Sequence, residues 1–152
     1  MRHLPAVGAL VFFALSGCAI AAPALPVTTV TIDTRGGQKA FKAELASDPQ
    51  SQQQGLMYRQ QMSPNAGMLF DFHTSTMLSF WMKNTILPLD MLFIRDDGTI
   101  STIAENAVPL STARIDSAEP VRAVLEINGG RAKELGIRAG DRVHSAIFHN
   151  VR

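Results

Sequence analysis

The sequence predicts a mainly β domain, an antiparallel sandwich or small barrel with two short helices. Three observations lead there. Apolar residues gather in strand-length runs, among them Val27–Ile32, Met68–Phe72 and Leu89–Ile94. Turn-forming clusters separate the runs, as at Arg35-Gly36-Gly37-Gln38, Asp96-Asp97-Gly98 and Arg138-Ala139-Gly140-Asp141. Strands do not alternate with long helical patterns, which argues against a doubly wound α/β fold.

The elements follow in order. Val27-Thr-Thr-Val-Thr-Ile32 is rich in β-branched residues, which suit a pleated, half-buried surface. Lys39 to Ala46 returns after a glycine turn and completes a hairpin. Ser47-Asp48-Pro49 starts a helix, with a capping side chain followed by proline in the first turn. That helix is expected over residues 50–59, bringing Leu56 and Met57 to the core, with Gly55 weakening it. Residues 63–67 form a loop. Strands follow at 68–72, 77–82, 89–94 and 99–103, then a long loop over 104–120 with Pro109 and Pro120. Arg122–Ile127 alternates as a strand, Gly129–Leu135 is a short helix ended by Gly136, and 142–148 is a last strand.

The first residues read as an address. Met1-Arg2-His3 is basic, and the apolar run Leu4–Leu15 is too short to span a hydrocarbon core of about 30 Å as a helix. It fits a secretory signal segment. Leu15-Ser16-Gly17-Cys18 resembles a bacterial lipobox, in which the cysteine takes lipid and becomes the mature N-terminus. Ala19-Ile20-Ala21 is the competing cleavage site. The resulting organisation is a signal peptide over 1–17, a tether over 18–26 with its prolines, and a single β-rich domain over 27–152. Lipidation, ordinary secretion and an uncleaved anchor all place the domain outside the cytoplasm, in the periplasm; lipidation on Cys18 would hold it to a membrane.

Charge and cysteine count exclude further classes. The chain carries 14 Lys+Arg against 13 Asp+Glu. Such a balance gives no basic footprint for nucleic acid. The one cysteine allows neither an intramolecular disulfide nor a CxxC pair.

Several segments resemble domain-of-unknown-function family 192, found in bacteria and archaea. They are Gly55-Leu56-Met57-Tyr58-Arg59, Gly67-Met68-Leu69-Phe70, Phe80-Trp81-Met82-Lys83-Asn84-Thr85 with Pro88-Leu89-Asp90, Ala123-Val124-Leu125-Glu126, and Gly136-Ile137 with Gly140-Asp141. The Trp-Met-Lys-Asn-Thr run is the most specific. The resemblance spans residues 28–148 and implies a jelly-roll-like sandwich or barrel. It implies no activity.

The candidate site residues are polar groups set in or beside apolar strands: Arg59, Trp81, Lys83, Asn84, Asp90 and Glu126. An unpaired buried charge is costly, so Asp90 is expected to pair with Lys83 or Arg59. Trp81 would supply an apolar wall beside convergent polar groups. The leading expectation is a non-catalytic module at the cell envelope that binds a small ligand or an envelope protein, with no cofactor and no metal. One rival is a small envelope hydrolase using Asp90 and Glu126 as acid and base. Another is a copper-handling lipoprotein using Met57, Met62, Met68, Met77, Met82 and Met91, since thioethers suit Cu(I). These methionines show no MxM or MxxM cluster, and core packing is the ordinary use. His73, His144 and His149 show no ligand spacing and are expected to be solvated or terminal.

Overall fold

A computed structural model of the protein describes residues 24–151. Cys18, the cleavage sites and most of the tether lie outside the described residues. The fold is mainly β, as expected. A seven-stranded sheet curls into a half-barrel in the order β6-β5-β8-β3-β2-β1-β9, and a two-stranded sheet pairs β4 with β7. The strands are β1 Val27–Thr34, β2 Gly37–Ala46, β3 Ala66–Thr76, β4 Ser79–Phe80, β5 Leu89–Ile94, β6 Ile100–Ala107, β7 Ile115–Asp116, β8 Val121–Asn128 and β9 Arg142–His144.

β1 and β2 form the expected hairpin, with Thr34 opposite Gly37 at the turn. β2 and β3, however, run parallel, with Lys42 opposite Ala66 and Ala46 opposite Phe70. The chain between them carries helix α1, Pro49–Gln54, and so returns to the start of the sheet before β3 begins. The ends of the curled sheet approach each other where Thr99 bridges Arg142. There the Ile100 N–H donates to Asp141 O at 2.9 Å, and the Val143 N–H donates to Gly98 O at 2.8 Å.

Alternation along the strands builds two apolar layers. Val30, Ile32, Phe41, Leu69, Leu92, Leu125, Ile127 and Val143 fill the face enclosed by the curl. Met68, Phe70, Met91, Phe93 and Val124 cover the other face. Leu56, Phe80, Met82 and Ile115 close over this second layer. Phe80 stands edge-on to Phe70 and Phe93, with ring centroids 5.2 and 6.1 Å away.

Several element boundaries differ from the sequence reading. α1 stops at Gly55, whose φ of 48° ends the helix, so it does not reach residue 59. Asp48 caps it as expected, accepting from the N–H groups of Gln50 and Ser51 at 3.0 Å. Of the expected strand 77–82 only two residues pair. The expected loop 104–120 holds the end of β6 and all of β7. The last strand ends at His144 and gives way to a 3-10 turn over Ala146–Phe148. α2, Arg131–Leu135, ends at Gly136 in the left-handed conformation, as its sequence indicates.

Candidate functional site

A groove of about 930 Å³ opens on the second face, beside α1. One rim is α1 and the segment leaving it, through Met57, Tyr58 and Arg59. The other is the turn that carries Trp81, Lys83 and Asn84. Ala24 and Leu25, the first described residues, also line it. An adjoining lobe of about 350 Å³ shares Gln53, Gln54, Gly55, Met57 and Trp81 with the groove. Leu56, Phe70, Phe72, Phe80, Thr85 and Glu126 also line the lobe.

The rims are tied by backbone. The Tyr58 N–H donates to Asn84 O at 2.9 Å. Both residues sit in the left-handed region, at φ 63° and 56°. Asparagine adopts that region readily, whereas a bulky residue such as Tyr58 does so at a cost of about 1–3 kcal/mol. Such strain often marks a binding or switching segment. Arg59 reaches across to β2 and forms a two-pronged ion pair with Glu44, its Nη2 lying 2.6 Å from Oε2. Trp81 is 49% exposed, and the Lys83 ammonium lies 5.3 Å from the centre of its ring.

Glu126 is the unusual member. It belongs to β8, opposite Met68 of β3 and Met91 of β5. Its neighbours Leu125 and Ile127 point into the enclosed layer, so Glu126 points with Val124 into the second. The residue is 4% exposed, and among the described residues its carboxyl has neither a hydrogen bond nor an ion pair. Burial alone pushes this carboxyl up to about 8, so it is largely neutral at pH 7.

Four of the six candidate residues therefore meet at the groove: Arg59, Trp81, Lys83 and Asn84. Glu126 lines the adjoining lobe. Asp90 does not join them, and its expected pairing with Lys83 or Arg59 is corrected. It is fully buried on the other face of the sheet, opposite Ile127. Its Oδ1 accepts from the N–H groups of Asn106 at 2.8 Å and Gly130 at 2.9 Å, and its Oδ2 from Ala132 at 2.8 Å. Asp90 thus fastens the start of α2 and the end of β6 to β5.

The same placement separates the two acids of the hydrolase reading. Asp90 and Glu126 lie on adjacent strands but opposite faces of the sheet, so they cannot act together on one substrate. Of the six methionines, Met57 alone lines the groove or its lobe, and Met68, Met82 and Met91 are packed in the core. No cluster of three His, Cys, Asp or Glu residues suited to a metal occurs among the described residues. His144 also departs from expectation: it is buried, with Nε2 2.7 Å from Asp33 Oδ2 and Nδ1 2.9 Å from Asn150 O.

Sequence reasoning missed Glu44, Met57, Tyr58 and Phe80 as groove or lobe residues. The glutamine-rich helix at 50–54 was the available signal. Apart from its buried Ser51 it offers the core little, so its placement depends on what it covers.

Comparison with known proteins follows the same outline. A Sinorhizobium meliloti 1021 crystal structure, provisionally described as a transcription regulator, is 52% identical with a TM-score of 0.81, covering 84% of this chain and 99% of that one. A Novosphingobium aromaticivorans DSM 12444 protein of unknown function is 38% identical with a TM-score of 0.77, covering 88% and 99%. No curated protein matches. Residues 30–145, which hold the half-barrel, both rims of the groove and Glu126, match the family described as an uncharacterized ACR, and the chain belongs to this domain-of-unknown-function family 192.

Proposed function

We propose that this protein is a non-catalytic module that binds a small ligand in the groove between α1 and the Trp81 turn. The observation that carries this reading is Glu126: a carboxyl that is 4% exposed, has no partner among the described residues and lines a lobe walled in part by aromatic rings. Leaving a buried polar group unsatisfied costs on the order of 1–3 kcal/mol, and a ligand that supplies the missing bond recovers it. The lobe sets four aromatic side chains, Phe70, Phe72, Phe80 and Trp81, beside polar groups that could orient a ligand, the combination small-molecule sites use. The hydrolase reading lacks its second acid, and the copper reading lacks converging thioethers. The near balance of 14 Lys+Arg and 13 Asp+Glu favours no nucleic-acid role, whatever the description of the Sinorhizobium relative.

We place the module at the cell envelope on its N-terminal sequence, with Cys18 as the lipid attachment point and the groove facing the periplasm. No helix among the described residues is long and apolar enough to cross a membrane.

Trp81 is the only tryptophan in the chain, so its fluorescence reports on the groove mouth. Screening a small-molecule library against the purified protein should give ligands that change that emission. Calorimetry on Trp81→Ala should then show at least tenfold weaker binding. A ligand held at full strength by both Trp81→Ala and Lys83→Ala would place the site elsewhere.

A further inference from the structure

We propose that the lobe beside the groove recognises a primary ammonium group carried on an apolar, aromatic-sized body, with Glu126 as its counter-ion. This rests on the groove being a ligand site and names the chemistry of the ligand.

The argument begins with what lines the lobe. Among the described residues, its only ionisable side chain is Glu126. Glu44, Asp48, Tyr58, Arg59 and Lys83 line the groove but not the lobe. Among the described residues, the elements that pair with Glu126 or share the lobe with it bring uncharged side chains. β3 presents Met68 and Phe70, β5 presents Met91, β4 presents Phe80, and the segment after α1 presents Leu56 and Met57. Asp90 is on the far face. Consistent with this, burial is the one cause that moves the carboxyl, and no neighbouring charge contributes.

The other polar side chains of the lobe, Gln52, Gln53, Gln54, Ser79, Thr85 and the Trp81 indole, are uncharged. The Thr85 hydroxyl donates to Lys83 O at 3.2 Å, leaving its lone pairs to the lobe. The Gln52 amide donates to Asp71 O at 2.8 Å, leaving its carbonyl oxygen. An anionic ligand would meet a carboxyl, with no cationic side chain among the described residues of the lobe to hold it. A purely apolar ligand would leave Glu126 unpartnered. A primary ammonium brings three donors, and a cation is attracted to the face of an aromatic ring, of which the lobe holds four in Phe70, Phe72, Phe80 and Trp81.

Binding then moves a proton. At neutral pH the free carboxyl holds its hydrogen. When R–NH3+ enters, the Glu126 O–H bond breaks, the proton leaves to solvent, and the carboxylate accepts from the ammonium. Nothing is oxidised or reduced.

The test is calorimetry on the full chain with 2-phenylethylamine, 2-phenylethanol and 3-phenylpropanoate, in buffers of different ionisation enthalpy. The amine should bind at least tenfold more tightly than the alcohol or the acid, releasing close to one proton at pH 7. Its affinity should rise about tenfold per pH unit below 8 and level off above. Glu126→Gln should lose both the preference and the slope. Equal affinity for the alcohol or the acid, amine binding without proton release, or a slope that survives Glu126→Gln would each overturn the proposal. So would the absence of amine binding at millimolar concentration. Probe binding weakened by Trp81→Ala but indifferent to Glu126→Gln would overturn the ammonium and keep the groove. Binding indifferent to both variants would overturn the groove as well.

Discussion

Glu126 should make the protein less stable as pH rises across the neutral range, and the size of the effect follows from its setting. The carboxyl titrates near 8 in the folded protein against an ordinary value of 4.5. Between those values the folded state binds more protons than the unfolded state, so the free energy of unfolding falls as pH increases. Glu126's contribution is fully present below about 4.5, declines above it, and is gone once pH passes about 8. At about 1.36 kcal/mol per pH unit the total is on the order of 4–5 kcal/mol. The assay is urea unfolding at intervals from pH 5 to pH 9, with Glu126→Gln as the comparison because it keeps the shape and cannot ionise. The wild-type midpoint should fall relative to the variant by roughly 2 M across that range, taking a slope of about 2 kcal/mol per molar urea. Curves that stay parallel from pH 5 to pH 9 would refute the claim that this carboxyl is buried and unpartnered.

Two further outcomes test other parts of the molecule. Asp90→Asn should cost about 2–4 kcal/mol in urea unfolding. The amide can still accept from Asn106 and Gly130 but turns an N–H toward the buried Ala132 N–H. A loss below about 0.5 kcal/mol would mean that these bonds do not hold α2 in place. Cells expressing the full chain should incorporate labelled palmitate into it, and Cys18→Ser should abolish the label; retention of the label would refute the lipobox.

How far the sequence discloses this molecule depends on what kind of partner each residue has. The strands and their turns are legible because alternation and glycine turns are local properties. The parallel pairing of β2 with β3 is not, because it depends on where the excursion through α1 returns. Asp90 is legible as a charge that needs partners inside an apolar run. Its actual partners are backbone amides, which any residue except proline supplies and no motif marks. Arg59, Trp81, Lys83 and Asn84 can be singled out by the family resemblance, yet their meeting at one groove depends on the bond between Tyr58 and Asn84. Glu126 shows its facing by alternation with Leu125 and Ile127. Its lack of a partner appears only once Leu56 and Phe80 are seen to cover it.

The three amides held by Asp90 belong to residues 16, 40 and 42 positions further along the chain. They close only when distant segments have already come together, and they open only when those segments part. Their hydrogens should therefore be among the last to exchange with deuterated solvent, at rates set by global opening. Amides of the α1 rim, where a six-residue helix caps itself through Asp48, should exchange through smaller openings. The side of the sheet away from the groove is thus the clock for the whole domain, while the rim that meets a ligand moves on its own, faster time.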